Sequence, residues 1–154
     1  MNIEEKINYL VDKWSKKLRL VPFWDIKIEI VHQKDLNKTG DFKIDCEDHK
    51  VIFIFNQCGS DFSHLEETIV HELLHLKLYP LDQTTESLIE ANFEKDSSGY
   101  NFAYITFMKT LEQTVEELTK CFLFEFGEDK ELSFGRCNKK KSFNELFDGL
   151  KNLE

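Results

Sequence analysis

Residues 67–76 read ETIVHELLHL, and this stretch decides the centre of the fold. Its two histidines, His71 and His75, are four residues apart, so on an α-helix they lie on one face in neighbouring turns. The apolar residues around them predict a largely buried helix, in which two imidazoles and the carboxylate of Glu72 need partners. A metal ion is a partner that meets this need.

The chemistry of such a site depends on Glu72. It follows His71 by one position, which places its carboxylate beside a metal bound by the two histidines without making it a ligand. Zinc lowers the pKa of a bound water to roughly 7, so a nearby carboxylate can accept the proton at neutral pH and later return it to a leaving amine. The motif therefore predicts Zn²⁺ as cofactor, peptide-bond hydrolysis as reaction and Glu72 as catalytic base.

A catalytic zinc site needs a third protein ligand and an open position. The remaining histidines, His32, His49 and His64, all precede the motif, and His64 is about 10.5 Å from His71 along a helix axis, too far to share one ion. A carboxylate that follows the motif must then complete the site. The candidates are Asp82, Glu86, Glu90, Asp96, Glu112, Glu116 and Glu117.

A long helical pattern between Phe102 and Phe126 contains the favoured candidate. Glu112 lies at the edge of its apolar stripe, in a series with Val115, Thr119 and Phe122 whose members are three or four residues apart. Three other polar residues, Gln113, Glu117 and Lys120, fall on the predicted solvent face. The pattern favours Glu112 as the third ligand and leaves Glu116 as an alternative.

The flanking sequence predicts the other elements. Residues 3–20 have the period of an amphipathic helix that ends before Pro22, and residues 24–30 alternate as a half-buried strand does. Two more strands are predicted at 42–46 and 51–55, joined by a hairpin. We expect an α+β fold in which a small three-stranded sheet, mixed or antiparallel, packs on the motif helix between an N-terminal helix and further C-terminal helices.

Local signals predict the limits of the helices. Ser63 and Glu66 fit a capping box that starts the motif helix, and Pro80 is expected to end it. Another helix is expected after Asp82. A second capping-box pattern at Ser142–Glu145 predicts a short amphipathic helix near the C-terminus.

Composition limits the class of protein. A chain of 154 residues with 41% hydrophobic residues suits one domain, here predicted at residues 1–126, with a C-terminal extension at 127–154. The net charge of -9 argues against nucleic-acid binding, and the lack of an apolar span or signal sequence argues against a membrane. The four scattered cysteines predict free, buried thiols in a cytoplasmic protein. The expected partner is a peptide or protein substrate.

Several motifs resemble those of gluzincins, metallopeptidases that bind zinc through two histidines and one glutamate. More narrowly, the chain is similar to small metallopeptidases encoded by phages and prophages of bacteria. The matching motifs cover roughly residues 1–126, and they are Trp24-Asp25, His71–Leu76, Pro80-Leu81-Asp82 and Glu112-Gln113-Thr114-Val115. The resemblance implies a minimal zincin-like domain, with His71, His75 and Glu112 as zinc ligands, Glu72 as base and an extended substrate beside an open sheet edge.

Two other functions fit the same residues. A metal-stabilised, non-catalytic domain, such as a phage regulatory or binding protein, would retain zinc for folding and have no use for Glu72 as a base. An amide hydrolase acting on non-peptide substrates would use the same site. Tyr79, Tyr100 and Tyr104 can each donate a hydrogen bond to a developing negative charge, but an aromatic residue beside a helix is more often part of a core.

Overall fold

The computed structural model describes residues 2–32, 40–56 and 62–133, and these ranges contain three α-helices and three β-strands. Short 3₁₀ turns occupy Phe62–His64 and Lys130–Ser133. The elements, in chain order, are α1 Ile3–Lys17, β1 Asp25–Val31, β2 Gly40–Asp45, β3 Lys50–Asn56, α2 Leu65–Asn92 and α3 Ser98–Phe126. The predicted α+β class is confirmed.

The three strands form a mixed sheet in the order β1-β3-β2. β1 runs parallel to β3, whereas β2 and β3 form the predicted antiparallel hairpin. Phe53 of β3 is paired with Ile28 on one side and Phe42 on the other, so these three side chains share one face of the sheet. That face packs into the hydrophobic core with residues of all three helices.

The first helix closes one side of the core. Asn2 and Glu5 form a reciprocal capping box at its start, and its buried stripe includes Ile7, Leu10 and Trp14. It ends at Lys17, before Pro22 as predicted.

The predicted start of the motif helix is wrong in its detail. The N-cap of α2 is His64, and no side chain caps it in the described part of the chain. Ser63 belongs to the preceding 3₁₀ turn, and Glu66 turns instead toward α1, where its carboxylate accepts hydrogen bonds from Lys13 and Trp14. Glu66 thus contributes a contact between two helices.

The predicted end of the motif helix at Pro80 is also wrong. α2 continues without interruption to Asn92, so the separate helix expected after Asp82 is its second half. A proline inside a helix lacks the N–H that would bond the carbonyl four residues earlier, here that of Leu76, but its φ is compatible with helix. α2 packs on α3, and Ile89 in the second half of α2 is buried; tertiary burial of this kind can offset the lost bond.

The N-cap of α3 is Ser97, whose hydroxyl accepts from the backbone N–H of Tyr100, and its C-cap is Gly127. The chain then turns back, and Leu132 joins the core. The first residues of the predicted extension thus pack on the main body, and the division at 126 stays a prediction. The predicted helix at Ser142–Glu145 lies outside the described residues.

Two further predictions concern the cysteines and the absence of a membrane-spanning helix. Cys46 and Cys121 are free, as predicted, but they are exposed rather than buried. Cys58 and Cys137 lie outside the described residues. None of the helices in the described ranges combines the length and apolar character needed to cross a bilayer.

Candidate metal centre

α2 brings the two histidines of the motif together. One turn separates them, and their Nε2 atoms are 3.1 Å apart, with ring centroids 4.8 Å apart. The side chains of His71 and His75 retain 23% and 15% of their exposure. Both rings therefore lie in a partly covered position with their Nε2 atoms directed at one point.

Glu112 reaches the same point from α3. Its Oε2 is 3.6 Å from Nε2 of His71, and its Oε1 is 3.2 Å from Nε2 of His75. In a tetrahedral zinc site with bonds of 2.0–2.1 Å, neighbouring ligand atoms are about 3.3 Å apart. The three side chains thus have the donor types and the spacing of a zinc coordination shell, and they form a group that can hold a metal ion.

A second contact fixes the same alignment of α2 and α3. Lys120 of α3 forms an ion pair with Glu67 of α2, and it also donates to the backbone carbonyl of Leu132. Glu67 is eight residues before His75, while Lys120 is eight residues after Glu112, as an antiparallel pair of helices requires. The ion pair and the metal group are therefore consistent with the same antiparallel alignment of α2 and α3.

The structure separates the two candidates for third ligand. Glu112 joins the histidines, whereas Glu116, one turn further along α3, is buried and stands outside the three-residue group. Gln113 and Glu117 are exposed, as predicted. Lys120 is not on the solvent face as expected, because its side chain is only 12% exposed and is paired with Glu67.

Glu72, His64 and Tyr79, which the sequence also singled out, lie outside the three-residue metal group. Glu72 lies on α2 next to His71 and is partly buried. His64 is exposed, with its Nδ1 3.1 Å from Oε2 of Glu67, and lies outside the group as expected. Tyr79 packs edge-on against Phe42 of β2.

Burial decides the charge state of His71. Removal of water lowers the pKa of its imidazole, and the nearby carboxylates, chiefly Glu112 and then Glu116, only partly oppose this effect. The ring is therefore held in its neutral form, which is the form that binds a metal.

Two buried glutamates beside the site have no signal in the sequence. Glu66 and Glu67 occupy the first turn of α2, and both are less than a tenth exposed. Oxygens of Glu66 accept from Lys13 and Trp14, at 2.7 and 2.8 Å, and from the backbone N–H of Glu128, at 2.8 Å. The contacts of Glu66 with Lys13, Trp14 and Glu128, and of Glu67 with Lys120, each join residues more than 50 positions apart, so no local spacing could have revealed them.

Comparison of the chain with protein-family models, with curated proteins and with solved structures found no match. The function of the site must therefore be inferred from its own geometry.

Proposed function

We propose that this protein is a zinc-dependent peptidase with a zincin-like fold, in which His71, His75 and Glu112 bind the metal and Glu72 is the general base. The observation that carries the proposal is the convergence of two imidazole nitrogens and one carboxylate, from two helices, at 3.1–3.6 Å. Two neutral imidazoles and one carboxylate are a donor set used by catalytic zinc.

The roles of the protein groups follow from this arrangement. Zinc in such a site acidifies a bound water and polarises a carbonyl group. Glu72, on the same helix as the two histidines, accepts the proton of the attacking water and returns it to the leaving amine. His71, His75 and Glu112 would hold the metal, and a bound zinc with three protein ligands would remain accessible to water or substrate.

Access to the site also fits a polypeptide substrate. The side chain of Glu112 is 51% exposed, so the metal group opens to solvent on the α3 side. In the described sheet, β1 and β2 are the outer strands, and each pairs only with β3. An outer edge can pair with an extended peptide through backbone hydrogen bonds.

A Glu72→Gln variant tests the proposal. We expect it to bind one zinc with near wild-type affinity and to lose peptide hydrolysis by a factor of 10² or more, because the amide cannot accept a proton. Hydrolysis is followed by mass spectrometry on a mixture of unstructured peptides. Glu125→Gln, a matched change at an exposed position of α3, is the control and should retain activity.

Two outcomes would contradict the proposal. If the zinc-loaded wild type cleaves no peptide, or if Glu72→Gln cleaves as fast as wild type, the peptidase mechanism is wrong. Stoichiometric zinc without any hydrolysis would favour the metal-stabilised, non-catalytic domain instead.

A further inference from the structure

The alignment of α2 and α3 continues beyond the metal group. Seven residues make nearly two helical turns, so Asp82 lies on the same face of α2 as His75, and Ile105 lies on the same face of α3 as Glu112. Because the helices are antiparallel and His75 meets Glu112, Asp82 and Ile105 lie at the same level of the helix pair, on the side that carries the metal group. They lie about 10 Å beyond the metal group along the helix axes.

The next turn repeats this arrangement. Glu86 follows Asp82 by four residues, and Phe102 precedes Ile105 by three, so each pair extends the face along its own helix. The carboxylate of Glu86 lies near enough to the hydroxyl of Tyr104 that, after burial, its charge raises the pKa of Tyr104, so the two helices are close together at this level. We call the surface formed by Asp82, Glu86, Phe102 and Ile105 the distal face.

The two sides of the distal face differ in chemistry. On the α3 side, Phe102 and Ile105 are 74% and 64% exposed, although large apolar side chains favour burial. On the α2 side stand two carboxylates, neither of which has an ion-pair partner among the described residues. Oδ1 of Asp82 is buried without a hydrogen-bond partner in that part of the chain.

Asp82 is harder to ionise than an ordinary aspartate. Burial, and then the charge of Glu86, raises the pKa of Asp82. A cation placed between the two side chains would relieve this repulsion, and apolar groups placed over Ile105 and Phe102 would remove exposed apolar surface from water. The face is thus complementary to a ligand with a basic group next to a bulky apolar group.

We propose that the distal face binds the part of a polypeptide substrate that extends away from the cleaved bond, and that it selects lysine or arginine beside a large apolar residue. This inference rests on the proposed peptidase function. An extended peptide advances about 3.3 Å per residue, so the selected side chains lie roughly three to five residues from the cleaved bond. The net charge of -9 adds a longer-range attraction for basic peptides.

Binding, rather than cleavage, tests the inference. The probe is a fluorescent 12-residue peptide with lysine and leucine three to five residues to either side of its centre, and its partner peptide has glutamate in place of lysine. Fluorescence anisotropy gives Kd for both peptides with the full-length, zinc-loaded protein carrying Glu72→Gln, so that the probe stays intact. The expected preference for the lysine peptide is tenfold or more.

Substitutions then locate the binding surface. Asp82→Asn with Glu86→Gln should weaken binding of the lysine peptide about fivefold or more, and Ile105→Ser should weaken it about threefold. Glu125→Gln with Glu131→Gln removes the same charge at exposed positions near the other end of α3 and should change Kd less than twofold. Asp82 and Glu86 are part-buried whereas Glu125 and Glu131 are exposed, so circular dichroism and the thermal midpoint of every variant must match those of the parent before the Kd values are compared.

Three results would overturn the inference: equal binding of the two peptides, equal weakening by the distal and control pairs, or a wild-type dimer that dissociates on Ile105→Ser. The last would assign the face to a second copy of the chain. Cleavage by wild type without any preference would overturn the inference and leave the peptidase intact. Selective binding without cleavage by wild type would support the distal face as a binding site and overturn the peptidase function.

Discussion

Glu66 and Glu67 are neighbours in sequence, yet their side chains connect different parts of the molecule. Glu66 joins α2 to α1 and to the backbone of Glu128, whereas Glu67 joins α2 to α3 through Lys120. Both carboxylates lie in the first turn of α2, where free backbone N–H groups and the helix dipole favour negative charge. The helix that carries the histidines is thereby fixed at its N-terminal end.

We predict that Glu66→Ala lowers the free energy of unfolding by about 3 kcal/mol. The change removes the acceptor of the buried indole N–H of Trp14 and of the backbone N–H of Glu128, and it leaves Lys13 with the Glu128 side chain as its remaining ion-pair partner in the described part of the chain. Urea denaturation followed by tryptophan fluorescence measures the change. Asp12→Ala, which removes an exposed pair with Lys16, is the control and should cost less than about 0.5 kcal/mol. Similar losses in the two variants would contradict this role.

The same carboxylate predicts a pH dependence. Burial alone would raise the pKa of Glu66, but hydrogen bonds from Lys13, the Glu128 backbone and Trp14 outweigh it and lower the pKa below the ordinary value of 4.5. The stabilisation is therefore complete above pH 4.5 and is lost as the pH falls through the depressed value. The stability difference between wild type and Glu66→Gln should shrink on acidification below that pH. A constant difference from pH 7 to pH 3 would exclude this linkage.

For single residues, the sequence predicted those site residues whose relation depends only on local spacing. His71, Glu72 and His75 lie within one turn and a half, so their chemistry is visible in the chain itself. The choice between Glu112 and Glu116 was open because both lie near the edge of one apolar stripe, and only the register of α2 against α3 separates them. The burial of Glu66 and Glu67 depends on distant partners and could not be predicted.

Among the elements, α2 shows how tertiary packing overrides a local signal. Pro80 is a strong helix terminator in an isolated segment, yet α2 runs through it because the second half of the helix packs on α3.

The strands show a related limit of sequence-based prediction. Their positions followed from alternation and from the hairpin turn, but the parallel pairing of β1 with β3 joins segments that are not adjacent in sequence.

Pro80→Ala should stabilise the fold by about 1–2 kcal/mol. Alanine restores the N–H that can donate to the carbonyl of Leu76 and removes the steric conflict of the ring, while the less restricted unfolded chain offsets part of the gain. Thermal and urea denaturation measure the difference. Leu81→Ala, at the next and exposed position, is the comparison and should change stability by less than about 0.5 kcal/mol. A destabilised Pro80→Ala protein would show that contacts of the proline ring outweigh the missing hydrogen bond.

For the whole molecule, the metal group connects two helices that also share the core. Since His71 and His75 come from α2 and Glu112 comes from α3, zinc bound there would stabilise the folded chain over the unfolded one. At free zinc 100 times above Kd, the expected gain is about 2.7 kcal/mol. A chelator should lower the thermal midpoint, and added zinc should restore it. A midpoint insensitive to both would contradict a zinc site that spans the two helices.

The identity of the third ligand is the most direct test of the site as a whole. Isothermal titration with zinc, on protein freed of metal, should give one site per chain for wild type, a loss of affinity of 100-fold or more for Glu112→Ala, and near wild-type affinity for Glu116→Ala. If Glu112→Ala keeps full affinity while Glu116→Ala loses it, or if neither substitution matters, the assignment of His71, His75 and Glu112 as the metal centre is wrong.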